Sequence, residues 1–437
     1  MRSRTLFGRR LVLIAAAAFA VRVLYGFAIA ADLPLPGDAF LYRILGFELA
    51  HGDGYSVPSS VVAGGPQPTA EHPPLFALYL ALWSKAGLGG LGAERVACAL
   101  LGTATVSLTG VLGRRAAGDR AGLLAAGIAA IYPPLFMVDG ALISESLYAP
   151  IVVLAMVLAF RLIDNPGVGA AAALGAVVGL AALTRSDGVL LLPLLALPLA
   201  WRLRPDRWRL MAACFAATVV VMAPWLGRNW IEFDRFPLLS TNSGFTARTA
   251  NCPATYYSGE IGFVNHRCAL RSDCVELADE LARSECFGRR AREYAGDHLS
   301  RVPLVVLARV GRLWEVYGTG ANLDYGANWA RPRWVATIGL VFYLVLLPFA
   351  LAGLLALRSR RVPLLPLLAP LALVTVVAAL TFGVSRYRLA AEPALVVLAS
   401  VGVLCATAVL RVRRQPAKPQ PNQVVEHPHG VPDSAHS

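Results

Sequence analysis

Residues 31–74 read ADLPLPGDAFLYRILGFELAHGDGYSVPSSVVAGGPQPTAEHPP and lie between two strongly apolar stretches. The segment is too polar, and too broken by Gly and Pro, to cross a bilayer. It nevertheless carries Asp38 directly behind the first apolar run and a Glu71-His72-Pro73-Pro74 cluster ahead of the next. A carboxylate at the rim of a membrane is costly and calls for a partner or a task. The membrane itself follows from composition: the 437 residues are 57% hydrophobic and 15% charged, with a mean hydropathy of +0.58. Soluble domains carry about a quarter charged residues, so the chain reads as an all-α polytopic membrane protein. Its 40 Lys and Arg against 27 Asp and Glu leave a net charge of +13. The arginines cluster in short loops between apolar runs, so retention on the cytoplasmic side accounts for them and no nucleic-acid partner is implied.

About ten spans are expected, near residues 11–30, 93–113, 121–138, 141–160, 169–183, a sixth ending at 201–209, then 210–226, 334–357, 364–382 and 389–410. The opening MRSRTLFGRR, with the apolar run and Ala28-Ile29-Ala30 behind it, also fits a cleaved secretory leader. The run continues past Arg22 to full membrane length, which favours an uncleaved first helix. Arg22, near mid-span, should face the bundle interior and pair with an acid or a phosphate. With both termini inside, the arginine clusters assigned to inner loops fall on one side and residues 31–74 fall outside. Within that loop, 38–50 suits a helix lying in the interface, and 74–88 a juxtamembrane helix. The chain then divides into an N-terminal transmembrane module (1–226), a long extracytoplasmic region (227–333), spans eight to ten (334–411) and a Pro-rich, polar tail (412–437) that reads as disordered and cytoplasmic.

Cysteine usage gives a separate test of sidedness. Cys98, Cys214 and Cys405 fall in spans, whereas Cys252, Cys268, Cys274 and Cys286 fall in the long outer region. Four cysteines in an oxidising compartment suggest two disulfides, with three pairings open. A metal site using His266 or His298 is the rival, although no CxxC spacing is present.

There is no P-loop, no GxGxxG and no HExxH. The chemistry must come from charged residues at the outer ends of spans: the acids Asp38, Asp139 and Glu145, and the bases Arg185, Arg228, Arg386 and Arg388. Arginines hold phosphate by charge-assisted, often bidentate bonds, and a carboxylate can take a proton from an attacking hydroxyl. Taken singly, each has a plainer explanation as a helix cap, a solvated charge or a headgroup anchor. Their shared face is what makes them a candidate site.

Seven stretches, in order, resemble the integral-membrane glycosyltransferases of the C superfamily, in particular glycosyltransferase family 39 with its protein O-mannosyltransferases and the lipid A aminoarabinose transferases. They are GDAFLYRILGFELAHGDGY (37–55), EHPPLFALYLALWSKAGLG (71–89), ERVACALLGTATV (94–106), ALISESLYAP (141–150), GLAALTRSDGVLLLP (179–193), APWLGRNWIEFDRFPLLSTNSG (223–244) and SRYRLAAEPAL (385–395). The resemblance implies a catalytic 1–226 module that transfers a sugar, with inversion, from a polyprenyl-phosphate donor to a hydroxyl of a protein, lipid or polysaccharide acceptor. The site would face outward from the cell (inner) membrane. Asp38 then matches the proposed base and Glu145 the second acidic position. Arg386 and Arg388, with Tyr387 between them, and His72, Arg185 and Arg228 would bind substrate or lipid phosphate. No ligand cluster demands a cofactor, but Asp38 and Glu145 could hold a divalent metal ion. Three features depart from the pattern: Glu rather than Asp at 145, no Pro behind Leu389, and the outer cysteines. A transporter or lipid flippase of envelope glycolipids is the rival of another class. It would place polar groups near the midplane on repeated, broken helices, whereas these residues gather at the rim. A non-catalytic envelope scaffold is the other.

Overall fold

The structure, a computed structural model, describes residues 2–60, 65–235, 237, 239–327 and 331–414. α1 (Arg2–Ala28) leads into a Pro-broken stretch, and α2 (Gly37–His51) begins behind Pro36. α2 stops at Gly52, whose φ of 94° lets its N–H cap the Glu48 carbonyl. Ala39, Tyr42 and Leu45 of α2 are buried against α3 (Leu75–Lys85), while Phe40 and Phe47 stay exposed. That exposed apolar face is what an interfacial helix presents to lipid. The link between α2 and α3 pairs two short strands, β1 (Ser56–Val57) and β2 (Gln67–Pro68), in antiparallel register with Ser56 opposite Pro68.

α4 (Leu91–Ala117) is followed by α5 (Asp119–Ile131) and α6 (Pro133–Gly140), two helices bent by 48° at Tyr132. Pro133 and Pro134 lack N–H donors, and Tyr132 ahead of them is pushed into extended backbone, which breaks the helix there. α7 (Glu145–Asp164) and α8 (Val168–Thr184) come next. Residues 186–202 then form a 3-10 turn (Ser186–Leu190), a π turn (Leu192–Ala196) and α9 (Leu197–Arg202), with Pro193 and Pro198 interrupting the ladder. α10 (Arg207–Phe233) continues seven residues past the expected boundary at 226, so Gly227 and Arg228 lie on a helix rather than in the outer region. That region carries α11 (Asn242–Ala250), α12 (Pro253–Tyr257), α13 (Arg267–Leu270), α14 (Glu280–Asp297), α15 (Val302–Leu313) and α16 (Thr319–Ala327). α17 (Arg333–Ser359), α18 (Leu365–Leu380), a 3-10 turn (Ser385–Ala390) and α19 (Glu392–Arg414) complete the described chain. The tail from 415 lies outside the described residues.

Helices α4, α7, α10, α17 and residues 5–28 of α1 are long and apolar enough to cross a membrane, and the α5–α6 pair makes a sixth if counted as one span. α8, α18 and residues 392–408 of α19 are shorter apolar helices. The protein is thus an all-α, multi-pass membrane protein. Length and composition meet the ten-span expectation at six places.

Small residues let the helices close on one another, as lipid-embedded packing favours. At the α17–α19 crossing a Cβ on Gly353 or Gly402 would run into the backbone carbonyl of Leu398 or Phe349. Arg22 finds the acid expected of it: its Nε lies 2.9 Å from Asp139 Oδ2, and both side chains are buried. Asp139 belongs to α6 and not to the outer turn, so it serves this pair rather than the surface. Outside the bundle, Cys252 joins Cys268 and Cys274 joins Cys286. Asp273, Cys274 and Cys286 lie close together, but both sulfurs are consumed by a disulfide and leave no thiolate for a metal.

Candidate functional site

Five parts of the chain that are remote in sequence surround one cavity of about 500 Å³. Asp38, Tyr42, His72 and Pro73 come from the 31–74 loop and its helices, Ser144 from the short α6–α7 turn, and Thr184 to Asp187 from the end of α8. Ser240, Asn242, Thr246, His266 and Tyr325 come from the outer region, and Phe382, Arg386 and Tyr387 from the α18–α19 link. The outer region is fastened to the loop beneath it. The Thr241 N–H donates to the Ala70 carbonyl at 2.9 Å, and the Ala70 N–H donates to Glu280 Oε1 at 2.9 Å.

Arg386 is the hub. Its Nε and Nη2 fork onto the Glu145 carboxylate, with Nη2 to Oε2 at 3.0 Å, and Nη2 also reaches Asp38 Oδ2 at 3.0 Å. Arg185 approaches the same Glu145 through Nη1 at 2.9 Å and Asp187 through Nε at 3.1 Å. It also lies over the Tyr387 ring, 5.0 Å from its centroid. Burial alone would lower both guanidiniums. For Arg386 the Glu145 and Asp38 carboxylates outweigh burial, and for Arg185 Asp187 and Glu145 do so; both are held above the ordinary arginine range. Three carboxylates therefore face two permanently charged arginines.

The two acids expected at the site are not equivalent. Glu145 is 2% exposed, with both oxygens held by arginines. Asp38 has 29% of its side chain exposed, sits in the first turn of α2 and spends one oxygen on Arg386. Its other oxygen, Oδ1, points toward His72 Nε2 at 3.9 Å, beyond hydrogen-bond range. His72 is stacked on Tyr42, ring centroids 4.8 Å apart. The structure therefore brings Asp38, Glu145, His72, Arg185, Arg386 and Tyr387 together.

It places the two remaining arginines elsewhere. Arg388 faces away from the cavity. Its Nε bonds Glu392 Oε1 at 2.6 Å, Nη1 bonds the Leu313 carbonyl at 2.9 Å, and the guanidinium covers the Tyr343 ring at 3.6 Å. Arg228 donates to the Tyr55 and Thr69 carbonyls, each at 2.8 Å, and so ties the outer loop to α10. Both sit outside the lining of the cavity, because buried backbone carbonyls and Glu392 claim their donors first.

Three features at or beside the site are not among the residues expected to line it. Asp187 orients Arg185 and receives the Tyr148 hydroxyl at 3.3 Å. Asn242, Thr246, His266 and Tyr325 form a polar wall, of which only Asn242, within STNSG, belongs to a motif of the resemblance. Arg331 is the third. It is 8% exposed, and burial together with neighbouring Arg386 pushes it down to about 10, against the pull of Glu145. Arg-Pro-Arg ahead of a span otherwise looks like an ordinary headgroup anchor.

As a metal site the arrangement does not fit. The Arg386 guanidinium already bridges Asp38 and Glu145, where a divalent ion would have to sit. Both carboxylates give their charge to nitrogen donors instead.

Among solved structures, the chain is similar to the oligosaccharyltransferase AglB of Archaeoglobus fulgidus in complex with an inhibitory peptide and a dolichol-phosphate, at 15% identity and TM-score 0.54, over 94% of this chain and 51% of that one. It is similar to the oligosaccharyltransferase of the same organism in complex with Zn and sulfate, at 15% identity and TM-score 0.54, over 92% and 50%. ArnT from Cupriavidus metallidurans bound to undecaprenyl phosphate matches at 15% identity and TM-score 0.42, over 92% and 80%. The chain thus spans about half the length of the archaeal proteins it matches. Its fold is shared with the AglB oligosaccharyltransferase. Residues 71–227, a little over a third of the chain, match the family described as dolichyl-phosphate-mannose-protein mannosyltransferase. No curated protein matches the sequence.

Proposed function

We propose that this protein is a glycosyltransferase that moves a sugar from a polyprenyl-phosphate donor to an acceptor hydroxyl, with inversion, at the outer face of the cell membrane. The observation that carries the proposal is the Asp38 carboxylate, held on one oxygen by Arg386 and open to the cavity on the other. The family matched over residues 71–227 and the fold shared with AglB support the reaction class. The arginine-rich inner loops support the outward orientation. Residues 1–226 supply the acids, and the disulfide-linked outer region closes the cavity above them.

In the reaction, Asp38 accepts the acceptor's hydroxyl proton while that oxygen attacks the anomeric carbon from the face opposite the phosphate. The bond from that carbon to the phosphate oxygen breaks, and polyprenyl phosphate leaves with the electron pair. Arg386, preorganised by Glu145, stabilises the charge that develops as the bond breaks. His72, Arg185 and Tyr387 complete the wall around the transferred sugar. Since Arg386 occupies the place between the acids, the reaction is written without a metal.

The test compares cells carrying the wild-type chain, the D38N variant or no copy, by mass spectrometry of envelope glycolipids, polysaccharides and glycoproteins. The wild type adds a mass of one sugar residue to an envelope component, and D38N loses it at normal membrane levels. Retained transfer by D38N removes Asp38 from the base role. Identical profiles with and without the wild-type chain overturn the transferase reading itself.

A further inference from the structure

Two successive helices of the outer region are built in opposite senses. α14 turns Leu281, Phe287 and Ala291 inward and leaves Glu285, Arg289 and Glu293 exposed, as a helix in water does. α15 is inverted. Its only charged residues, Arg309 and Arg312, are buried with Val305 and Ala308, at spacings of three and four that make one face. The other side carries Pro303, Leu304 and Leu307, all exposed, with Leu304 at 46% and Leu307 at 69%. Leucines on an uncharged face forgo the stabilisation of burial unless something apolar covers them.

The position of α15 says what covers them. Arg309 Nη1 donates to the Ala379 carbonyl in the last turn of α18, at 3.1 Å. Further along, Trp314 Nε1 donates to Thr375 Oγ1 at 3.2 Å. Thr375 lies five residues short of Leu380, the end of α18, or about 8 Å down that helix at about 1.5 Å per residue. The Tyr343 hydroxyl of α17, ten residues inside that membrane-length helix, reaches the Trp314 carbonyl at 3.3 Å. Ahead of α15, the Arg301 guanidinium covers the ring of exposed Tyr257, 5.2 Å from its centroid. A Tyr–Arg pair at one end and a sunken other end describe an interfacial helix, which enters the headgroup and acyl boundary by about 5–10 Å.

We propose that α15 is seated in the lipid leaflet at the cavity end of the bundle, with Pro303, Leu304 and Leu307 against phospholipid acyl chains. Lipid is the occupant because this face offers a protein partner neither charge nor a hydrogen-bonding side chain. In addition α17, bonded to α15 through Tyr343 and Trp314, exposes Val341 and Val345 as a span in lipid does. The outer region then rests on the membrane through α15, while α14 stays in water. Arg309 connects this seat to the site. It donates to the carbonyls of Ala250, at 2.7 Å, and Ala379, and the nearby Thr249 and Thr381 line the cavity. Lipid under α15 thus supports two strips of the cavity lining, whatever reaction the cavity performs.

The test places the wild-type chain in phospholipid nanodiscs that contain a phosphatidylcholine with a diazirine on its acyl chain. After irradiation, reduction and trypsin digestion, mass spectrometry finds the lipid adduct on peptide 302–309 and on peptide 334–358 of α17, but not on 284–289 of α14. An adduct on 334–358 without one on 302–309 overturns the inference. A second measurement attaches nitroxides to L304C, L307C or R289C in a chain that also carries C98A, C214A and C405A, which remove the free cysteines. Collision of a water-soluble nickel chelate with labels at 304 and 307 falls at least about tenfold below that at 289, because a polar chelate is excluded from acyl chains. Equal collision at all three positions puts α15 in water and overturns the inference. Labels shielded from nickel and from oxygen, with spin coupling between chains, put a second copy on this face and overturn it as well. D38N gives the same adducts and collisions as the wild type, so failure of the transferase reading leaves the lipid seat standing.

Discussion

Arg386 and Arg388 are two residues apart in one 3-10 turn, both are buried, and both grip a carboxylate. Their surroundings nevertheless differ in kind. Arg386 meets Asp38 and Glu145 at the edge of an open cavity, and Asp38 keeps one oxygen facing that space. Arg388 meets Glu392, whose second oxygen is taken by the Tyr132 hydroxyl at 2.9 Å, so that both oxygens of this carboxylate are used. A 3-10 helix turns by about 120° per residue, so side chains two apart diverge by about 240°. Two arginines in one motif are therefore not two copies of one role. What separates a site from a strut is whether the paired carboxylate retains a group that faces open volume.

The largest effect that tests this contrast comes from exchanging each arginine for glutamine. R386Q should lower the rate of sugar transfer by roughly 10²–10³-fold, the usual consequence of removing a preorganised charge from the reacting centre. R388Q should instead strand Glu392 as an unpaired buried charge and cost about 3–5 kcal/mol of stability, while the molecules that remain folded transfer sugar at the normal rate. Transfer per folded molecule and Tm in detergent distinguish the two. If both variants lose activity at unchanged Tm, the distinction between the two arginines fails.

Glu145 sharpens the contrast from within the first group. Both of its oxygens are held by arginines, which places it to orient Arg386 rather than to take a proton. E145Q should lower kcat by about ten- to a hundredfold with little change in KM, and E145D should recover part of the loss. The pH profile of transfer should keep its shape in E145Q. A profile that moves with the substitution would make Glu145 the base.

Much of this arrangement is legible in the amino-acid sequence. Hydropathy and arginine placement give the helical membrane class, and motif order brings Asp38, His72, Glu145, Arg185, Arg386 and Tyr387 to one place. Arg22 announces a buried acid because a mid-span charge cannot stand alone, though not that the acid is Asp139. Arg388 and Arg228 look the same as true site residues in sequence, since direction around a 3-10 turn and competition from backbone carbonyls leave no trace in spacing. The disulfide pairing stays open for the same reason: three pairings are equal in sequence, and only the fold brings Cys252 to Cys268. Arg331 is hidden most completely. What marks it is a buried Nε with no hydrogen-bond partner among the described residues, and an absence of contact has no signature in composition.

The smallest effect concerns the edge of the Arg388 group. Glu315 follows α15 in the outer region, is 8% exposed and has one carboxylate oxygen without a partner. Burial raises its pKa above the ordinary glutamate range, Arg388 opposes the rise, and Glu392 adds to it. With the folded value above the unfolded one, the stability linked to this carboxyl is fully present in acid, where both states are protonated. It is lost as the pH climbs through the raised folded value, because the unfolded chain has already given up its proton. The Tm of E315Q should therefore gain on that of the wild type as pH rises from about 4 to 8, spanning the glutamate range, and then hold a constant lead. A lead that fails to grow with pH would mean that Arg388 neutralises Glu315 completely. Glu315 would then be a second counter-ion of the strut, and the Arg388 group would carry as many paired carboxylates as the Arg386 hub it is contrasted with.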